Sequence, residues 1–217
     1  MFRKNLFNNS YSGEKMILDR KLILASASPR RREILDMCGF EFEVLPASAD
    51  ESSDEKDPGR LVETLSARKA EACLKSLAEK GREVSNLLIL GCDTVVYAGG
   101  RILGKPADRQ DAQRMLADLQ GRSHSVYSGV TLIWFEDGVQ KQISFSEASD
   151  VEFAPMTSQE IADYAATGEC DDKAGAYAIQ GYGMKFVSRI RGDYHNVVGL
   201  PAAAVYKAMR EHGLIRY

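Results

Sequence analysis

Alternating strand and helix signals predict an α/β fold with a mixed sheet and flanking helices. Two observations carry this. Short aliphatic runs, "KLILA" at 21–25 and "NLLILGCD" at 86–93, sit beside segments with helix-start chemistry. Two long strand candidates, "HSVYSGVTLIWF" and "VQKQISFSEASDVEF", flank an "EDG" turn at 136–138 and predict an antiparallel ribbon. No repeat, low-complexity tract or linker interrupts residues 21–217, which read as one continuous domain of two unequal lobes. Residues 1–20 read as a loose N-terminal extension, and Met16 is an alternative start.

The elements follow in order. The run at 21–25 is a strand leading into a Ser-Pro step, where Ser28 as N-cap and Pro29 at the first helical position open a helix. "EFEVLP" (41–46) alternates and stops at a proline, as a strand does. The acidic loop "ASADESSDEKDPG" follows, and then a helix over about 58–80 capped by Asp57. The strand at 86–93 continues extended through "TVVYAGGRIL", with a hairpin turn at Gly99 and Gly100. A helix near 108–119 ends at Gly121, and "TSQEIADYAATG" opens with a Thr157/Glu160 capping box and closes on Gly168. A glycine-rich, strand-like stretch at 175–199 precedes a last helix begun by Pro201.

Composition narrows the function. Apolar content of 44% and charged content of 27% are ordinary for a soluble globular chain. A formal net charge of −3 gives no global attraction to nucleic acid or anionic membrane, so any positive site is local. No apolar run approaches the roughly 20 residues of a membrane span, and the first twenty residues lack the apolar core of a signal peptide. Four cysteines without a C-x-x-C pair read as reduced thiols of a cytoplasmic protein, and the three histidines offer no zinc spacing.

Five positions carry chemistry. Arg30, Arg31 and Arg32 crowd a helix start, the end whose partial positive charge least favours them. Either an anion completes the arrangement, bound by free N–H groups and arginine forks, or the run is a solvated basic face. Lys69 falls on the same wheel face as Leu61, Leu65 and Cys73, so it lines a cleft or snorkels at the rim of the core. Asp93 and Thr94 follow a buried aliphatic run, where an acid can hold a divalent cation, take a proton from water, or cap a turn. "GGRILGKP" nearly spells a phosphate-binding P-loop, but Pro106 stands where Ser or Thr must ligate magnesium, so only Lys105 is retained. Gln180, in "DKAGAYAIQGYG", either reads a base edge with its amide or belongs to a structural turn.

Taken together, "LASASPRRREIL", "LSARKAEA", "GCDTVV", "GKPAD", "DKAGAYAIQG" and "YHNVVGLP" resemble, in order, the Maf family of nucleoside triphosphate pyrophosphatases, over residues 21 to 212. The resemblance implies a long mixed sheet around a deep cleft, related to the inosine triphosphate pyrophosphatases. It implies a hydrolase that needs Mg2+ or Mn2+ and converts a nucleoside triphosphate to monophosphate and pyrophosphate. On that pattern Asp93 is the general base or metal-holding acid, and Glu51 helps to hold the metal. Ser28, Arg30, Arg31, Lys69 and Lys105 face the phosphates, while Arg30, Thr94 and Gln180 match positions tied to base selection. Arg32 falls at a variable position. Gln180 points to the branch acting on dTTP and UTP rather than the one acting on 7-methyl-GTP. A homodimer is implied as well. An older role for the family, as a non-catalytic nucleotide- or nucleic-acid-binding regulator of cell division, is the rival expectation; the composition argues against nucleic acid.

Overall fold

Strand β4 (Leu87–Ala98) organises the sheet. Its first half is a run of large aliphatics, fully buried, as a strand covered on both faces requires. On one edge, β2 (Lys21–Leu24) runs parallel to it, in register from Lys21 opposite Leu87 to Leu24 opposite Leu90. The outer neighbour of β2 is β3 (Phe42–Val44), also parallel. On the other edge of β4 lies antiparallel β6 (Ser123–Glu136), then β7 (Val139–Phe153) and β8 (Val187–Arg191). The order β3-β2-β4-β6-β7-β8, with β5 (Arg101–Leu103) folded back on β4, is the mixed sheet that the sequence predicts. The coordinates are a computed structural model, which describes residues 17–216.

The two edges of β4 differ in a way that creates the site. β6 pairs with β4 without interruption from Ile89 to Tyr97. On the opposite edge β2 leaves after Leu24, and β5 joins only at Val96, where it pairs with Leu103. Residues 91–95 therefore face a gap between two strands. Asp93 sits in this gap, in the interior of a twelve-residue strand rather than after its end. β6 keeps the strand running, while the departure of β2 supplies the crevice that a strand end supplies in parallel sheets.

Helices close the gap. α1 (Pro29–Met37) leaves the carboxyl end of β2, and α2 (Pro58–Glu79) lies across β4 and β6. The expected caps form on α2, where Asp57 accepts from the Arg60 N–H at 2.8 Å, and on α4 (Ser158–Ala166), which has the Thr157/Glu160 capping box. α3 (Arg109–Leu119) is capped by Asp108 and followed by Gly121 with φ +63°. Ser28 stands at the N-cap position of α1, but its side chain makes no capping bond.

Two expectations need correction. The stretch at 175–199 is strand only at β8. Residues Ala174–Ala176 and Tyr182–Phe186 form 3-10 turns, and Tyr194–Val198 is a short helix, α5, because positive φ at Gly175, Ala176 and Gly181 breaks any extended run. Of the N-terminal extension, residues 1–16 lie outside the described residues. Ile17–Leu18, by contrast, form β1, which pairs antiparallel with β9 (Ile215–Arg216), just after helix α6 (Ala202–Glu211). Among the described residues no helix is long and apolar enough to cross a membrane.

Candidate active site

The gap in the sheet opens into a cavity of about 630 Å³. Nine of the residues singled out from the sequence line it: Ser28, Arg30 and Arg31 at the start of α1, Glu51 in the acidic loop, Lys69 on α2, Asp93 and Thr94 on β4, Lys105 after β5, and Gln180 in the glycine-rich segment. The lining holds five cationic side chains (Arg30, Arg31, Lys69, Lys105, Lys173) against three acids (Glu51, Asp93, Asp172). A local excess of positive charge in a chain of net charge −3 marks the cavity as the place for an anion.

Lys69 is the hub. It reaches the sheet because α2 packs on two glycines, Gly91 and Gly129, of which Gly129 is the direct neighbour of Asp93 across the ladder. Its Nζ bonds Asp93 Oδ1 and lies 2.8 Å from Glu51 Oε1. The Lys69 and Asp93 side chains are largely buried, whereas Glu51 is exposed. Burial pulls the Lys69 ammonium towards losing its proton, but Asp93 and Glu51 outweigh this and hold its pKa above the ordinary lysine value. The hydrogen bond from Lys69 lowers the Glu51 carboxyl below its usual range, with Lys105 and Arg31 adding to the effect. Lys69 thus lies in the cleft, paired, and the rim alternative is set aside.

Arg31, expected to face the phosphates, lines the cavity and bonds the protein around it. Its Nε donates to Gly199 O at 2.9 Å, Nη1 to Cys92 O at 2.7 Å and Ser26 Oγ at 3.0 Å, and Nη2 to Thr94 Oγ1 at 3.1 Å. Cys92 O belongs to the stretch of β4 that β2 has abandoned, so the guanidinium replaces a missing strand neighbour. Four of five N–H donors are consumed in this way. Thr94 is tied into the same network through Ser128 Oγ at 2.9 Å. Arg30 is freer: Asp172 lies 3.8 Å from Nη1, and burial lowers its pKa, with Asp172 opposing and Arg31 adding to the fall. Arg32 is exposed, as expected.

Three contributors escaped the sequence reading. Arg68, next to Lys69 on α2, donates from Nη1 to Asp50 O at 3.0 Å and Ser52 O at 2.7 Å, which fixes the backbone on both sides of Glu51. Asp172 and Lys173 form a bonded pair at the cavity wall. Their signal was available, since both stand in the "DKAGAY" block, but adjacent opposite charges look like a solvated pair. The lining also holds apolar residues, among them Val96, Val126, Tyr177, Ala178, Ile179 and Val197. The cavity therefore combines charged groups, apolar groups and one amide, Gln180.

Such a cavity, cation-rich and holding a buried acid within an α/β sheet, suits a polyanionic ligand. The model of the Maf-like protein family matches residues 21–212, and the chain belongs to that family. Curated relatives named dTTP/UTP pyrophosphatase include a Thermoanaerobacter sp. (strain X514) protein, 43% identical over 196 residues, covering 90% of this chain and 98% of that protein. The Carboxydothermus hydrogenoformans protein of the same name is 45% identical over 193 residues, covering 89% and 99%. Among solved structures, the Staphylococcus aureus Ham1 protein aligns over 89% of this chain and 100% of that one, with a TM-score of 0.48 and 12% identity.

Proposed function

We propose that the protein hydrolyses the triphosphates of pyrimidine nucleosides, dTTP and UTP, to monophosphate and pyrophosphate. The observation that carries this reading is the Asp93–Lys69–Glu51 cluster, set among further cations in a cavity that also presents apolar walls and the Gln180 amide. The 40–45% identity to relatives named for that activity supports it.

In the proposed reaction, Arg30, Lys105 and the uncapped start of α1 bind the phosphate chain, with Ser28 offering its hydroxyl. The apolar walls take the base, and the Gln180 amide pairs with its polar edge. Lys69 holds Asp93 Oδ1, which leaves Oδ2 to take a proton from a water molecule. The water oxygen bonds to the α-phosphorus as the bond from that phosphorus to the α–β bridging oxygen breaks. Pyrophosphate leaves with its charge already matched by the cations. Arg31 holds the frame of the cleft open and in register.

The donor set also fits Mg2+ or Mn2+. Asp93 and Glu51 are hard oxygen donors converging on one ammonium, and Mg2+ is commonly held by one or two carboxylates together with substrate phosphates. A bound ion supplies charge neutralisation of the triphosphate and lowers the pKa of its bound water. We further infer a cytoplasmic homodimer, which sedimentation at micromolar concentration checks.

Pyrophosphate release from dTTP, UTP, 7-methyl-GTP and purine triphosphates, with Mg2+ or Mn2+ and with chelator, tests the proposal. dTTP and UTP turn over fastest, chelator abolishes turnover, and Asp93→Asn slows it by about 10²–10⁴-fold, the scale of a lost general base. Preference for 7-methyl-GTP places the chain in the other branch. No turnover, with duplex binding that falls steeply with salt, restores the regulator reading.

A further inference from the structure

We propose that Glu169, acting through Tyr164, is a positioning residue for base discrimination: the pair sets the turn that holds Gln180 at the cavity. The inference rests on the reading of Gln180 as the group that meets the base. Glu169 stands after α4, outside the cavity lining. Its Oε1 accepts the Tyr182 N–H at 2.9 Å, and its Oε2 accepts the Gly183 N–H at 2.9 Å and the Tyr164 hydroxyl at 2.9 Å. The Tyr164 oxygen in turn accepts the Ala178 N–H at 3.0 Å. One carboxylate and one phenol thus fix the backbone on both sides of Ile179 and Gln180, both of which line the cavity.

The turn is shaped around this carboxylate. Gly181 has φ +110°, and a Cβ there would lie 2.0 Å from Glu169 Oε1. A Cβ on Gly183 would lie 2.5 Å from Ala178 O and 2.6 Å from the Tyr164 hydroxyl oxygen. Glycine at both positions lets the backbone close onto the pair. Tyr164 is buried against Phe186, and burial raises its pKa, so its hydroxyl remains a donor to Glu169. Neither residue reaches the cluster of Lys69, Asp93 and Glu51. Their loss disturbs how the base is seated rather than how the phosphate is cleaved.

The test compares wild type, Glu169→Gln, Tyr164→Phe and Gln180→Ala in steady-state turnover of dTTP, UTP and dGTP, together with hydrogen exchange at the Ala178, Tyr182 and Gly183 amides. In Glu169→Gln, KM for dTTP rises about tenfold while kcat stays within about twofold, the pattern of lost binding rather than lost chemistry. The preference for dTTP over dGTP narrows by a similar factor, and the three amides exchange faster. Tyr164→Phe keeps the ring against Phe186 and gives a smaller change, with Ala178 most affected. Wild-type preference and amide protection in Glu169→Gln overturn the proposal, as does an equal loss of activity on all nucleotides. If Gln180→Ala leaves the preference unchanged, base reading by Gln180 is what fails. The pair then stands or falls on whether Glu169→Gln speeds exchange at these amides.

Discussion

At the scale of single residues, the cleft is a problem in satisfying an interrupted sheet. When β2 departs, β4 is left with carbonyls that no strand covers, and Arg31 covers Cys92 O while also binding Gly199 O and Thr94. A lysine carries the charge but cannot fork to acceptors lying in different directions. Arg31→Lys therefore lowers stability by about 1–3 kcal/mol, the cost of leaving a buried acceptor unmet, and denaturant titration measures this. A variant as stable as wild type shows that the charge alone sufficed. Much of the site was legible at this scale. Lys69 betrayed itself by sitting on an apolar helix face, and Asp93 by following a run of buried aliphatics. Arg31 also stood out, but its bonds did not, because they include main-chain carbonyls 61 and 168 residues away that carry no residue-type signal.

At the scale of elements, the decisive contact is α2 on the sheet. Gly91 and Gly129 are needed for space: a Cβ on Gly129 would stand 2.1 Å from Val62 O, and one on Gly91 2.3 Å from Ser66 O. Backbone cannot yield as a side-chain tip can, so Gly129→Ala pushes α2 outward. The expected cost is about 1–3 kcal/mol, typical of overpacking, with a loss of activity as Lys69 is drawn from Asp93. Thermal melts and turnover of the same preparation check both effects; a fully active, equally stable variant contradicts this packing. The helices were readable from their caps, as at Asp57, Asp108 and Thr157. The segment around Gly175 and Gly181 was not, because glycine permits both extended and left-handed backbone, and tertiary contacts decide between them.

At the scale of the whole molecule, strand order and the gap beside Asp93 lay beyond sequence reasoning, since pairing partners far apart leave no local pattern. One stability consequence is global. His124 is buried on β6, with Nε2 2.8 Å from the Tyr177 hydroxyl, edge-on to Phe153 and Tyr177. Burial depresses its pKa to about 4, with Asp150 opposing the fall. Below pH ~6.5 the unfolded chain takes up this proton while the folded one does not until about pH 4. The stabilisation is complete above that window and is lost as pH falls through it, on the order of 3 kcal/mol in all. Urea titrations across pH 4–7 show a shallower acid loss in His124→Gln than in wild type; equal slopes contradict the assignment.

In the proposed reaction this cavity directs water to the α-phosphorus of a pyrimidine nucleoside triphosphate. Turnover of dTTP in ¹⁸O-water, followed by mass spectrometry of the products, addresses it directly. Attack at the α-phosphorus gives dTMP carrying one ¹⁸O together with unlabelled pyrophosphate. Label in pyrophosphate, or release of orthophosphate with dTDP, contradicts it.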